Sequence, residues 1–355
     1  MEPYIYLRAL RHVDYSVFSV SEGQKNYYDP ITNTKVAFSS GQQVKRSIID
    51  AALNEMGEQI APVIFNYEMK KEGKDKQKIG EKEALSMADP SFPDQLLGGW
   101  MSAPKGSSPV KRRSPLSISA MRPLHPLLSK LHQENMTFDR SSHHSIHKVV
   151  VKDTKGNEID QETLQTFLRS NQRTLPARKF LQDQKRTGGL FVYDIAIDLR
   201  TLFCVAINQT EPELTHEVMD KLKESGWKET QNTFGECLVC PKERRDKIIP
   251  ALAKSLINWR ITSNQSRTFS LMETLAIAIS SNANRIAASI RAKLVDERKA
   301  KPVIDLSISD TNVFITPPAE AHILDLEGSA TAIEAAEQKL IKLLSEYDYE
   351  NQILP

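Results

Sequence analysis

The stretch VAFSSGQQVKRSIIDAA, residues 36–52, passes from a short apolar strand through a turn of small residues into a helix. Val44, Ile48, Ala51 and Ala52 follow the three-and-four spacing of one buried helical face. The turn Ser39–Gly41 places free backbone N–H groups at the helix start, where they favour an anion. The pattern therefore predicts an amphipathic helix whose amino end is suited to phosphate.

Other strands and helices are mixed along the chain, with long insertions between them. The run from Tyr4 predicts a first strand, and Leu190–Ile207 predicts two strands that meet near Leu199–Thr201. Residues 271–294 predict a helix interrupted near 280–282, residues 322–326 a strand, and the mixed-charge run 68–83 a solvated loop. We therefore predict an α+β fold.

Composition excludes several classes of protein. The chain has 355 residues, with 47 Lys plus Arg against 45 Asp plus Glu, so any basic binding surface must be local. The apolar runs are short, as in Leu275–Ile279, which predicts no membrane span, and the opening residues predict no secretory signal. Three cysteines provide no disulfide framework, so we expect a cytoplasmic location. Neither a dinucleotide fingerprint nor a P-loop motif occurs.

Two motifs could bind metal or carry chemistry, but their simpler interpretations are favoured. Cys237–Cys240 has the C-x-x-C spacing, yet a structural zinc site needs four ligands, so we predict a buried strand. His143, His144 and His147 lie close together without a carboxylate cluster to complete a site, which favours a flexible polar loop. We predict no catalytic residues, no metal and no cofactor.

Two basic segments are stronger evidence for a polyanionic ligand. Residues 105–122 contain five basic residues and no acidic one, and residues 169–186 contain six basic residues and a single aspartate. Uncompensated basic loops suit nucleic acid, because each phosphate contact releases counterions. Together with the helix start near Gly41, they predict a local surface for a nucleic-acid backbone.

Ser40–Arg46, following an initial strand and loop, resembles the start of the CRISPR-associated backbone-subunit family of type I Cascade, the DevR-type autoregulators of the repeat-associated RNA-binding superfamily. Asp94–Gly98 resembles the Asp-containing segment of that family, and Ser114–Ile118 resembles its following strand. Asn264–Arg267 resembles the polar loop before its late helix. The resemblance spans nearly the whole chain, although each motif is short.

The resemblance implies an RNA-recognition-motif-like (ferredoxin-like) core whose insertions form a hand with palm, fingers and thumb. We accordingly expect residues 1–67 to form the first part of the palm and residues 68–128 an insertion with a mobile basic loop. Residues 129–188 would form a thumb-like insertion, placed within about 129–187, and residues 189–355 the rest of the palm with the C-terminal helices.

The same resemblance implies a role and a set of partners. Copies would bind head to tail along crRNA in a filament, with other Cascade subunits, and the guide bases would remain free to pair with target DNA. The resemblance assigns the following residues to the RNA backbone: Gln42, Gln43, Lys45 and Arg46, then Arg112, Arg113 and Arg122, and finally Asn264, Gln265 and Arg267.

Two alternatives remain open from the sequence. Related backbone subunits cleave target RNA with an aspartate in the loop after the first strand, where this chain has only Asp29. Asp29 matches the structural Asp-Pro of the family better than its catalytic position, which Gly23 or Gln24 occupies, so we expect no enzymatic activity. A stand-alone single-strand RNA binder or autoregulator would present the same groove.

Overall fold

A computed structural model describes residues 2–18, 24–72, 76–103, 108–139, 146–208, 210–262, 269–323 and 325–352. The chain is 29% helix and 37% strand, which confirms the predicted α+β class. No helix within these ranges is both long enough and apolar enough to cross a membrane.

The described residues form strands of very different length. Their bounds are β1 (Tyr4–Ser16), β2 (Asn26–Asp29), β3 (Thr34–Ala37), β4 (Val63–Glu72), β5 (Lys76–Ser86), β6 (Trp100–Ser102), β7 (Val110–Arg112), β8 (Leu116–Ile118), β9 (Arg122–Pro123), β10 (Ser129–Asp139), β11 (Arg178–Asp198), β12 (Cys204–Ala206), β13 (Lys228–Asn232), β14 (Gly235–Val239), β15 (Glu273–Ser280), β16 (Ile290–Asp296), β17 (Lys299–Ile304) and β18 (Thr311–Ile315).

The helices lie between these strands. They are α1 (Gly41–Met56), α2 (Pro93–Gly98), α3 (Gln161–Ser170), α4 (Leu199–Leu202), α5 (His216–Glu224), α6 (Lys242–Asn258), α7 (Ala283–Ser289) and α8 (Ala332–Ser345), with 3-10 turns at Pro126–Leu128 and Pro317–Ala321.

A central sheet with the order β10-β11-β1-β15-β18 organises the larger part of the chain, and β8 and β9 also pair with β11. The pairs β1–β11, β1–β15 and β15–β18 are antiparallel. Ile5, Leu7 and Ala9 of β1 belong to one large apolar cluster that also contains the inner faces of α1, α6 and α8. Leu10, on the opposite face of β1, belongs to a second cluster with residues of β15, β16 and β17. β1 is thus packed on both faces.

Helix α1 forms where the sequence predicts it. The Ser40 side chain accepts a hydrogen bond from the backbone N–H of Gln43 and so caps the amino end. Gly57 ends the helix in the left-handed conformation, with φ of +66°. Val44, Ile48 and Ala52 of the predicted apolar face are buried against the core, and Ala51 is half-buried.

The chain divides into two compact units, one of residues 1–131 with 187–355 and one of residues 132–186. The second unit contains α3, whose amino end is capped by Asp160, and a turn in which Asp153 accepts hydrogen bonds from the N–H groups of Lys155 and Asn157. Arg178 and Asp139 form an ion pair with an N–O distance of 2.6 Å. The thumb-like role of residues 129–188 and the domain boundaries remain predictions.

Three predicted elements are wrong. Residues 271–294 contain β15, α7 and β16 instead of one helix, because Leu275–Ile279 is a fully buried central strand, and a short apolar run shows no period that separates strand from helix. Of residues 68–83, the described ones (68–72 and 76–83) belong to the paired strands β4 and β5 and not to a loop. Of residues 322–326, only 324 is outside the described ranges, and the others form no strand.

Candidate nucleic-acid interface

The start of α1 is held against the β8–β9 segment. Ser39 and Met121 exchange two backbone hydrogen bonds, of 2.9 and 3.0 Å. Gly41 lies so close to this segment that a Cβ atom would stand 2.6 Å from the carbonyl oxygen of Ile118. The small-residue turn is therefore needed for close backbone packing, and it fixes the helix start beside Arg122.

The polar side chains of the first turns of α1 have different environments. Gln42 and Arg46, four residues apart on one face, are exposed. The Arg46 guanidinium pairs with Asp50, with an N–O distance of 3.0 Å. Gln43 is half-buried, and its side-chain oxygen accepts a hydrogen bond of 3.0 Å from the Ser39 hydroxyl. Gln42 and Arg46 are the members of this predicted group that face solvent.

Lys45 points inward instead. Its ammonium group donates a hydrogen bond of 2.6 Å to the carbonyl oxygen of Gly98, at the C-terminal end of α2. Burial, with a smaller effect from the nearby positive charge of Arg112, lowers the pKa of Lys45 to about 8. Lys45 thus joins α1 to α2, and its assignment to RNA remains a prediction.

Arg122 and Arg8 share one carboxylate on the central sheet. Arg8 donates two hydrogen bonds to Asp194, of 2.5 and 3.0 Å, while Arg122 approaches the same carboxylate at 3.4 Å. Asp194 is fixed in turn, because its backbone N–H donates to the Ser119 hydroxyl at 2.8 Å. Two guanidinium groups compensated by one carboxylate leave a net positive charge beside the α1 start.

A cleft of about 450 Å³ lies next to this cluster. Arg8, Asp194 and Ser119 line it together with Tyr6 of β1 and Ala283 and Ala287 of α7. The cleft therefore adds apolar and aromatic surface to a charged rim.

The neighbours Arg112 and Arg113, predicted as equivalent, differ completely. Arg112 is 4% exposed, and its guanidinium donates hydrogen bonds to the carbonyl oxygens of Leu96, Thr201 and Cys204. Burial lowers its pKa, an effect that the nearby carboxylate of Glu213 opposes. Arg113 is exposed. Part of the basic segment predicted as a mobile loop is thus strand β7, which buries Arg112, while Arg113 directly after the strand is exposed.

Asn264, Gln265 and Arg267 of the predicted RNA-binding set lie outside the described residues, as do His143 and His144 of the predicted polar loop. His147 is exposed in the second unit.

Asp29 holds the turn between β2 and β3. Its carboxylate accepts hydrogen bonds from the backbone N–H and hydroxyl of Thr32, at 2.8 and 2.9 Å, and from the N–H of Ile31 at 3.2 Å. The backbone hydrogen bond from Thr32 is the main cause that lowers its pKa. Asp29 therefore has a structural task in the hairpin.

The cysteine motif is a buried strand end, as predicted. Cys237 is in β14 and Cys240 follows directly after it, and both are fully buried. Burial raises the pKa of Cys240 to about 12. Within the described residues, no group of three or more His, Cys, Asp or Glu side chains could hold a metal ion.

Arg8, Tyr4 and Tyr6 were not among the predicted site residues. All three alternate along β1 with the buried Ile5 and Leu7, so the period of two places them together on the other face. The alternation along β1 could have identified these three residues as one face of the strand.

Comparisons with known proteins give limited similarity. No family model matches the chain, and no curated protein matches it. Among solved structures, a chain of a "CRISPR RNA-guided surveillance complex, pre-nicking" matches at 9% identity and a TM-score of 0.45, covering 97% of this chain and 89% of that one. A chain of a "CRISPR RNA-guided surveillance complex" matches at 10% identity and a TM-score of 0.38, covering 97% and 84%.

Proposed function

We propose that this protein is the guide-RNA-binding backbone subunit of a CRISPR surveillance complex. Its RNA-recognition-motif-like palm holds crRNA by the phosphate backbone and leaves the bases free for target DNA. The observation that carries the proposal is the backbone bridge between Ser39 and Met121, which brings the α1 start and Arg122 to one place. The resemblance of Ser40–Arg46 to the CRISPR backbone-subunit family supports the assignment of this surface to guide RNA.

The chemistry of this surface suits a phosphate chain. Gln42 and Arg46 project from the start of α1, where backbone N–H groups and the helix dipole favour negative charge. Arg8 and Arg122 add charge from the sheet. Contacts of this kind position a nucleic acid without reading its sequence, as a guide of variable spacer sequence requires.

In this proposal the partners are crRNA, target DNA paired to it, further copies of the chain bound head to tail, and other Cascade subunits. The complex works in the cytoplasm. No residue of the subunit cleaves RNA, in keeping with the engagement of Asp29 by Thr32 and Ile31 in a turn. If the Asp29→Ala variant lost a magnesium-dependent RNA cleavage that the wild type performs, the subunit would be a nuclease instead.

The first test is to sequence the nucleic acid that co-purifies when the chain is expressed with a CRISPR array and its neighbouring genes. Spacer-containing RNA of uniform length is the expected result. Heterogeneous RNA would favour the stand-alone RNA binder, and absence of RNA would refute the proposed function.

The second test measures how RNA affinity depends on salt. Arg46→Gln with Arg122→Gln should weaken binding of all RNA sequences equally and reduce the salt slope by about 1.4, since each lost single-strand contact contributes about 0.7. Lys221→Gln with Lys342→Gln is the matched control, because it removes equal charge from exposed positions on α5 and α8. A loss confined to some RNA sequences would contradict backbone binding.

A further inference from the structure

A second cleft, of about 790 Å³, shares only Ser117 with the lining of the first cleft. Its walls come from residues 111–117, the start of α4, β12 and the turn between β13 and β14. It contains charged, amide and aromatic side chains together.

The charges deep in this cleft already have partners. Asp198 accepts two hydrogen bonds from the Arg200 guanidinium, each of 2.9 Å. Arg112 lies with its Nε 3.8 Å from the Glu213 carboxylate and is further bonded to carbonyl oxygens. These groups form the frame of the cleft.

The aromatic ring of Phe234 lines the same cleft and is partly exposed. The Arg200 guanidinium lies 4.7 Å from the ring centre of Phe234 and 5.0 Å from that of Tyr4. Tyr4 in turn stacks on Tyr6, with ring centres 5.8 Å apart. Phe234 is nevertheless 60% exposed. Its contact with Arg200 therefore leaves much of the ring available to another flat group.

The turn that carries Phe234 is rigidly held. The buried Asn232 accepts a hydrogen bond of 2.8 Å from the backbone N–H of Phe234, and its amide group donates to the carbonyl oxygen of Arg200 at 3.3 Å. An exposed aromatic side chain on a fixed turn loses little conformational freedom when it binds a partner.

Two cationic side chains of the same cleft are available to a ligand. Lys111 and Arg113 are exposed, and no carboxylate among the described residues forms an ion pair with either. Glu211 is the exposed acidic residue of the lining. An aromatic face beside two available cations is the combination that binds a nucleotide of a single strand, by stacking on the base and by attraction to the phosphate.

We propose that one base of the bound single-stranded RNA stacks on Phe234, while Lys111 and Arg113 contact the adjacent phosphates. The inference rests on the proposed function and refines it, because the one base that stacks on Phe234 is not free to pair with target DNA. The stacking is independent of sequence, because every base presents a flat face.

Photocrosslinking tests this subsite directly. A single-stranded RNA containing 5-iodouridine is bound to the full chain and irradiated, and the crosslinked peptides are identified by mass spectrometry. We expect the peptide containing Phe234 among the products. Phe234→Leu should abolish that crosslink and lower RNA affinity about tenfold, since the leucine covers Arg200 but offers no aromatic face.

Phe65→Leu is the matched control, because Phe65 is an equally exposed phenylalanine on β4. It should leave the Phe234 crosslink and the affinity unchanged. If the wild type binds RNA and the crosslinks all lie elsewhere, or Phe234→Leu binds as tightly as the wild type, the stacking subsite is refuted and the proposed function stands. If the wild type binds no RNA, both are refuted.

Discussion

Arg112 and Arg113 are adjacent in the sequence but lie in opposite environments. Arg112 satisfies three carbonyl oxygens in the core, whereas Arg113 faces solvent. Arg112→Gln should lower the free energy of unfolding by about 3 kcal/mol, because it leaves Glu213 without its buried partner. Arg113→Gln should change it by less than about 0.5 kcal/mol. Urea unfolding checks both, and equal effects of the two substitutions would contradict the assigned environments.

Lys45 should make stability depend on pH in a defined window. Its pKa is about 8 in the folded chain, against 10.5 as the ordinary value, so between these values the unfolded chain binds the additional proton. The contribution of Lys45 to the free energy of unfolding therefore rises with pH between these two values. We expect wild type to gain in melting temperature relative to Lys45→Met from pH 8 to 10. A constant difference across that range would show that the ammonium group is not desolvated.

At the scale of elements, the β4–β5 ribbon extends beyond the support of the core. Tyr67, Met69 and Ile79 are exposed, and Met69 pairs directly with Ile79 across the ribbon. Replacing residues 67–82 by Asn-Gly joins the paired Asn66 and Glu83 through a two-residue turn. The free energy of unfolding should change by less than about 1 kcal/mol, because little buried surface is lost. A larger loss in thermal unfolding would show that the ribbon packs on the body.

The same ribbon shows where sequence patterns fail. The many lysines and glutamates of residues 68–83 conceal the cross-strand pair of Met69 and Ile79. The apolar run Leu275–Ile279 was ambiguous for the opposite reason, since a strand buried on both faces has no polar period. By contrast, α1 was predictable, because Ser40, the apolar spacing and Gly57 all indicate the same helix.

The candidate surface was predictable in part for similar reasons. The α1 start was predicted from its small-residue turn and apolar spacing, but the proximity of Arg122 depends on a bridge between residues 39 and 121, which no local pattern reveals. The inward direction of Arg112 follows from the alternation of β7, yet a count of basic residues treats every arginine as exposed.

At the scale of the whole molecule, the proposed head-to-tail assembly predicts how many chains bind to an RNA of a given length. A heterologous interface adds copies one after another along a strand, so the number of chains bound should rise in equal steps with RNA length. Native mass spectrometry with RNAs of graded length measures this number. One chain per RNA at every length would contradict the filament and leave a monomeric RNA binder.

Gly41 and Gly57, at the two ends of α1, differ in the substitutions that they tolerate. Gly57 needs its left-handed backbone but has open space around it, so asparagine is an accessible replacement. Gly41 needs no unusual backbone angle, yet the main chain at Ile118 leaves no room for a single methyl group. In a library of all single substitutions, position 57 should therefore tolerate a small set of variants, whereas position 41 should accept none.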